Sequence, residues 1–263
     1  MNGARRVFFI VVLLAIAFNL LQRAGCNSSQ SSNVSSAPPP AATVAAGRPL
    51  ANVARRPIPL DDTQPGTQVS LTRNFYFVFD GSGSMNDALD KSCRQERQFA
   101  HKIDGAKWAV REFLKAVPDD VNIGLYVFDA RGQREVVPIG AVKRETFTTA
   151  IDQVVAGGGT PLADAIHFAT DRLVKQYQKQ LGYGEYRLIV VTDGLAEHIP
   201  DAATYAAEYG IAIYAIGLCI GADHPLRQYA VSYRAADNFT DLAKGLEATL
   251  AELPAFDAAE FGK

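Results

Sequence analysis

The chain has 263 residues, of which 48% are hydrophobic and 21% are charged, and its formal net charge at pH 7 is −2. This composition excludes a disordered, collagen-like or wholly membrane-embedded protein. The first 70 residues carry six arginines and two aspartates, which leaves 20 basic and 26 acidic residues, a net charge of −6, in 71–263. Because an acidic domain repels a phosphate backbone, we expect no nucleic-acid partner. The three cysteines are too few for a disulfide scaffold.

The N-terminus combines a basic start with a short apolar run. Arg5 and Arg6 precede residues 7–21, which only Asn19 interrupts. This pattern is typical of a secretory signal, and the run is short for a membrane span, which needs about 20 residues. Three outcomes stay open for residues 1–26: a lipoprotein, an uncleaved signal anchor or a fully secreted protein.

Residues 24–26, Ala-Gly-Cys, resemble the end of a bacterial lipoprotein signal, which makes Cys26 the candidate lipidated residue. Arg23 departs from that pattern, which has leucine at this position. The lipoprotein and the signal anchor would both fix the protein to a membrane of the cell envelope. We expect one of these two, with the folded part on the periplasmic or extracellular side.

Residues 27–70 have the composition of a linker, rich in serine, proline and alanine. Such a segment cannot bury enough apolar surface to offset the entropy lost on ordering. We therefore predict a disordered tether at 27–70 and one folded domain at 71–263.

Strand and helix patterns alternate from residue 74 onward. Apolar runs predict strands at 75–79, 121–128, 135–139, 188–191 and 211–218. Apolar residues at helical spacing predict helices at 103–117, 146–155, 162–177, 202–209 and 238–253. This alternation predicts an α/β fold with a doubly wound, mostly parallel central sheet flanked by helices. Ligands of such folds bind beyond the carboxyl ends of the strands.

Three loops bring oxygen side chains to that edge of the predicted sheet. Asp80, Ser82 and Ser84 follow the first strand, Thr160 precedes the helix at 162–177, and Asp193 follows the strand at 188–191. Each motif alone also occurs in ordinary turns and helix caps. Together they offer two carboxylates and three hydroxyls, a set that suits Mg²⁺, Mn²⁺ or Ca²⁺ rather than zinc or copper.

These five residues resemble the metal-ion-dependent adhesion site of the von Willebrand factor A domain, and the resemblance covers roughly residues 72–253. It implies that Ser82, Ser84 and Thr160 bind the cation directly, while Asp80 and Asp193 act largely through water. It also implies an open coordination position for a carboxylate from a protein partner. The implied function is cation-dependent adhesion or complex assembly, with Mg²⁺, Mn²⁺ or Ca²⁺ as cofactor and no catalytic residue. In this family the C-terminal helix, here 238–253, can shift between affinity states.

Two features leave alternatives open. About eighteen residues, 86–103, separate the first loop from its helix, and the polar run 90–98 within them either shapes partner choice or is a solvated insertion.

The second feature is the pair Asp80 and Asp193, which could serve a hydrolase or phosphatase, or a structural scaffold whose metal does not bridge to a partner. We expect no enzyme, because Ser82 stands where an aspartyl phosphatase has its second aspartate and Gly-x-Ser-x-Gly is not formed.

The two remaining cysteines, Cys93 and Cys219, both follow predicted strands at the same edge of the sheet. In an oxidising compartment they could form a disulfide bond. Alternatively, Cys219 is simply buried at the end of an apolar strand.

Overall fold

The structure is a computed structural model that describes residues 53–89, 99–220, 224–236 and 238–251. The signal or anchor predicted at 1–26, Cys26, most of the predicted linker, and the polar run 90–98 with Cys93 lie outside the described residues. Within the described ranges, no helix has the length and apolar character needed to cross a membrane.

Six strands form a single sheet with the order β3-β2-β1-β4-β5-β6. They are β1 (Arg73–Asp80), β2 (Asn122–Asp129), β3 (Gly132–Gly140), β4 (Glu185–Thr192), β5 (Ala212–Leu218) and β6 (Ser232–Ala236). All neighbouring strands are parallel except β2 and β3, which form an antiparallel pair at one edge. The helices are α1 (Lys102–Ala116), α2 (Arg144–Asp152), α3 (Leu162–Lys179), α4 (Ile199–Glu208), α5 (Leu226–Tyr229) and α6 (Phe239–Ala251). This architecture confirms the predicted fold class.

The central strand β1 explains why helices cover both faces of the sheet. All of its residues after Arg73 are buried, and successive side chains of a strand point to opposite faces. Phe75, Phe77 and Phe79 pack in one hydrophobic core with residues of α1, α2 and α6. Tyr76 and Val78 pack in a second core with residues of α3 and α4. The continuous apolar run of β1 therefore reflects burial on both sides.

Among the strands and α-helices that the structure describes, two were not predicted from the sequence. The edge strand β6 and the single-turn helix α5 lie between β5 and α6. Strand β6 reads Ser-Tyr-Arg-Ala-Ala, and only Ser232 and Ala236 at its ends are fully buried. An edge strand of this kind has no continuous apolar run, so hydrophobic patterning does not reveal it.

Residues 53–72 lie against the folded domain, which differs from the disordered linker predicted as far as residue 70. The Arg56 backbone N–H donates to the carbonyl of Glu208 at 2.8 Å, and the Arg56 guanidinium forms an ion pair with the Glu208 carboxylate at 2.7 Å. The Gln68 N–H donates to the carbonyl of Lys179 at 2.9 Å. Backbone groups and an arginine make these contacts, which composition alone does not predict.

The same contacts place residues 53–72 at the edge of the sheet where β1 begins and α3 and α4 end. Because β1 and β4 run parallel, the loops after Asp80 and Thr192 lie at the opposite edge. The chain therefore enters the domain on the side away from the candidate site.

Candidate metal centre

Asp80 is the last residue of β1, and its side chain is buried at the carboxyl edge of the sheet. One carboxylate oxygen, Oδ1, accepts the Ser82 backbone N–H at 2.8 Å, and the other, Oδ2, accepts the Thr192 hydroxyl at 2.6 Å. Burial raises the pKa of the Asp80 carboxyl above its usual range, and the hydrogen bonds from Ser82 and Thr192 only partly oppose that rise. A divalent cation beside this carboxylate would favour its ionised form.

The side chains of Ser82, Ser84 and Asp193 form a continuous hydrogen-bonded row, which we call the oxygen row. The Oγ atoms of Ser82 and Ser84 are 3.2 Å apart. The Ser84 hydroxyl donates to Asp193 Oδ1 at 2.7 Å across the boundary between the first and third loops. Since the hydroxyl hydrogen of Ser84 points at Asp193, the lone pairs of its oxygen remain available to a cation.

Thr160 lies next to Gly194, the residue that follows Asp193. A Cβ atom built on Gly194 would lie 3.7 Å from the Thr160 hydroxyl oxygen and 3.9 Å from that of Ser84. Both hydroxyls therefore face the same glycine. The structure thus brings all five predicted residues together: Asp80, Ser82, Ser84, Thr160 and Asp193.

The loop before Thr160 is held against the first loop by backbone hydrogen bonds. The Gly83 N–H donates to the Gly158 carbonyl at 3.0 Å, and the Gly157 N–H donates to the Gly81 carbonyl at 2.9 Å. Gly158 has a φ of +81°, a conformation that side-chain-bearing residues rarely adopt. The glycine run therefore shapes the loop that carries Thr160.

Asp129 anchors the same loop from the end of β2. Its buried carboxylate accepts hydrogen bonds from the Arg134 guanidinium at 2.7 and 3.0 Å and from the backbone N–H groups of Arg131 and Val155 at 2.8 and 3.2 Å. Burial alone would raise the pKa of Asp129, but these hydrogen bonds outweigh it and lower the pKa to about 2. Asp129 is therefore a positioning residue for the loop and does not belong to the oxygen row.

Sequence patterning missed two polar contacts of the site. Thr192 follows the strand predicted at 188–191 and has no predicted role, yet its hydroxyl donates to the Asp80 carboxylate. Lys102 begins α1, and its ammonium lies 2.9 Å from Asp193 Oδ2. A positive charge in the first turn of a helix is unfavourable because the N-terminal end of the helix dipole is also positive. The position of Lys102 therefore indicates that its ammonium has a negatively charged partner outside the helix.

His224 stabilises the third loop, which contains Asp193 and Gly194. Its Nδ1 accepts the Leu226 backbone N–H at 3.1 Å, so Nε2 carries the proton and donates to the Gly194 carbonyl at 2.9 Å. Burial lowers the pKa of His224, which favours this neutral form. Both ring nitrogens are therefore engaged, and neither is free to act as a base toward Ser82 or Ser84.

The predicted disulfide can be described only at one end. Cys219 is buried just after β5 and takes part in a disulfide bond. Cys93 lies outside the described residues, so its pairing with Cys219 stays a prediction.

The donor set fits a hard divalent cation. Two carboxylates and three hydroxyls converge where three loops meet, and such ions prefer oxygen ligands of this kind. Ser82, Ser84 and Thr160 would hold such an ion, and the carboxylates of Asp80 and Asp193 would supply negative charge beside them.

Comparison with known proteins identifies the family. The profile of the von Willebrand factor type A domain matches residues 74–247, about two thirds of the chain. The chain belongs to the von Willebrand factor type A domain family. No curated protein sequence gives a match.

Solved structures of von Willebrand factor type A folds resemble this one at low sequence identity. An aerotolerance-related membrane protein from Bacteroides fragilis is 16% identical with a TM-score of 0.52, and the match covers 71% of this chain and all of that one. Proximal thread matrix protein 1 from the mussel byssus, described with a zinc-occupied adhesion motif, is 17% identical with a TM-score of 0.51, covering 70% of this chain and 48% of that one. The manganese-loaded TRAP protein of Plasmodium vivax is 14% identical with a TM-score of 0.50, covering 68% of this chain and 73% of that one. At these identities the likeness shows the shared fold.

Proposed function

We propose that this protein is a divalent-cation-dependent protein-binding module, tethered through its N-terminus to the bacterial cell envelope. The observation that carries the proposal is the convergence of Asp80, Ser82, Ser84, Thr160 and Asp193 at one edge of the sheet. The ion is Mg²⁺, or Mn²⁺ or Ca²⁺, and it supplies a positive centre for a carboxylate of the partner. The module acts in adhesion or in the assembly of an envelope complex and has no catalysis of its own.

Hydroxyl ligands support the binding role on physical grounds. Serine and threonine oxygens are neutral, so they leave most of the charge of a bound cation uncompensated. The buried Asp80 and Asp193 hold neighbouring hydroxyls in place through hydrogen bonds. A site of this kind keeps an attraction for a negatively charged group that arrives from outside.

The surface beside the site also supports a protein partner. Leu195 follows the third loop and is 69% exposed. It lines a cleft of about 400 Å³ together with Thr160 and Asp164. A partner that brings a carboxylate to the metal would cover this apolar side chain.

Two of the proteins of similar fold parallel the proposal in that each holds a divalent cation. One contains zinc in its adhesion motif and the other is loaded with manganese. The membrane protein from B. fragilis parallels the proposed envelope location. The apolar run at residues 7–21, which lies outside the described residues, is the segment we propose as signal or anchor, with Cys26 as the lipidation site in the lipoprotein case.

Capture of the partner tests the proposal. The full chain is incubated with envelope extract in Mg²⁺ and in EDTA, crosslinked and isolated, and Asp80→Ala is compared with Asp62→Asn. Asp62 is an exposed carboxylate in the segment 53–72, at the edge of the sheet opposite the site, so it is a control for the loss of one carboxylate. We expect a partner captured in Mg²⁺ by the wild type and by Asp62→Asn, and lost in EDTA and in Asp80→Ala. Neutralising one carboxylate of that partner should also abolish capture, whereas equal capture in all samples would show that the cation is not the bridge.

A further inference from the structure

Lys102 is a basic side chain inside a site otherwise built from oxygens. It is the first residue of α1, and only 12% of its side chain is exposed. Its backbone N–H donates to the carbonyl of Asp87 at 3.2 Å, and Ala88 and His101 form a bridge between the two ends of the 90–98 run. The start of α1 is thereby fixed next to the first loop, and Lys102 reaches the metal centre from there.

The carboxylate of Asp193 is shared between two donors. Its Oδ1 accepts the Ser84 hydroxyl at 2.7 Å, and its Oδ2 accepts the Lys102 ammonium at 2.9 Å. The Asp193 side chain is completely buried. Water therefore does not screen the Lys102 charge from the serine that is placed to hold the ion.

The charges of the site follow from these contacts. Ionised Asp80 and Asp193 contribute two negative charges, and Lys102 contributes one positive charge. A divalent cation would bring the sum to plus one, whereas without Lys102 it would be zero. The lysine and the metal ion repel each other, and both are attracted to Asp193.

We propose that Lys102 is an internal cation that lowers the affinity of the site for divalent metal and raises the attraction of the loaded site for a carboxylate. The inference rests on the proposed metal site. Lys102 is not one of the five residues of the metal-site pattern, and the inference assigns it an effect on the affinity of that site for metal and for a carboxylate. The lysine acts through its charge next to Asp193 and does not need to touch the ion.

The test compares Mn²⁺ binding by full-chain variants, with free Mn²⁺ measured by electron paramagnetic resonance. Lys102→Gln keeps a donor for Asp193 without the charge, and Lys102→Met serves as a second neutral variant. We expect both to bind Mn²⁺ about tenfold or more tightly than the wild type, because a like charge a few ångströms away is removed. Lys102→Arg should stay within a few-fold of the wild type.

Lys115→Met is the matched control on the same helix. The Lys115 ammonium donates to the carboxylate of Glu112 at 2.8 Å, within α1 itself. Its removal should leave Mn²⁺ affinity unchanged within about twofold, since no contact to the loops of the site is lost.

A second readout examines the loaded site with acetate as a simple carboxylate. Bound Mn²⁺ broadens the methyl proton signal of acetate that approaches it, and we expect less broadening with Lys102→Gln than with the wild type at equal Mn²⁺ occupancy. A purely structural role for Lys102 would instead give weaker or unchanged Mn²⁺ binding in the neutral variants. Weaker or unchanged Mn²⁺ binding in the neutral variants would overturn the inference. Equal acetate broadening with Lys102→Gln and with the wild type would also overturn it. If wild-type protein has no Mn²⁺ site that Asp80→Ala removes, the proposed metal site itself fails.

Discussion

At the scale of single residues, the candidate site depends on carboxylates that are buried and hydrogen-bonded. Asp80, Asp129 and Asp193 are all at most 4% exposed, and each accepts hydrogen bonds from named partners. The surroundings of Asp80 and Asp129 have opposite consequences. Burial dominates at Asp80 and raises its pKa, whereas the Arg134 fork and backbone donors dominate at Asp129 and lower its pKa.

Asp129 leads to a prediction about pH. Its pKa of about 2 in the folded state lies below the value of about 3.9 expected in the unfolded chain, so the ionised form stabilises the fold. This stabilisation is fully present above about pH 4 and is lost as the pH falls toward 2. We expect Asp129→Asn to lower the free energy of unfolding by about 2–3 kcal/mol at pH 7, with a smaller loss at pH 3.

Urea unfolding at a series of pH values measures this difference. Asp62→Asn is the control, because Asp62 is exposed in the segment 53–72. It should leave the free energy of unfolding within about 0.5 kcal/mol of the wild type throughout. A gap between wild type and Asp129→Asn that does not change with pH would contradict the assigned role of the Asp129 charge.

At the scale of elements, the loops of the site are placed by strand ends and by the helices that follow them. The ends of β1 and β4 carry Asp80 and Thr192, and their parallel pairing brings the two loops together. The start of α1 contributes Lys102. Helix α1 in turn packs against α6, where Gly105 faces the ring of Phe239.

The contact between α1 and α6 gives a second prediction. A Cβ atom on Gly105 would lie 2.3 Å from three ring atoms of Phe239, so the ring or the helix must move. We expect Gly105→Ala to lower the free energy of unfolding by about 1–3 kcal/mol, although alanine is the better helix former. Thermal and urea unfolding would measure the loss.

Gly245 in α6 is the matched control. A Cβ atom there would lie 3.4 Å from Cδ of Arg234 and 3.7 Å from Ile216, which is close to ordinary contact with a flexible side chain. Gly245→Ala should therefore stabilise the protein by up to about 1 kcal/mol through helix propensity. Equal effects of the two substitutions would show that the packing at Phe239 is not the cause.

The sequence predicts the elements with strong patterning and misses those without it. The strands β1, β2, β4 and β5 are apolar runs, and the long helices have regular apolar spacing, so patterning locates them. The five site residues could be proposed because topology places strand ends at one edge. Lys102 could not, since its contact with Asp193 spans 91 residues and follows an insertion whose path the sequence does not indicate.

At the scale of the whole molecule, different residues of the described domain lie at the two edges of the sheet. Residues 53–72 pack where α3 and α4 end, and the oxygen row lies at the opposite edge. The net charge of −6 on residues 71–263 disfavours close association of the domain with an anionic lipid surface.

We propose that one divalent cation binds among the hydroxyls of the three loops. An anomalous-difference map from Mn²⁺-containing crystals of residues 53–263 tests this binding, with Ser84→Ala as a comparison. We expect one strong peak in contact with the oxygens of Ser82, Ser84 and Thr160, and a much weaker peak in the variant. A peak elsewhere on the protein, or an ordered oxygen row without manganese, would contradict the proposed site.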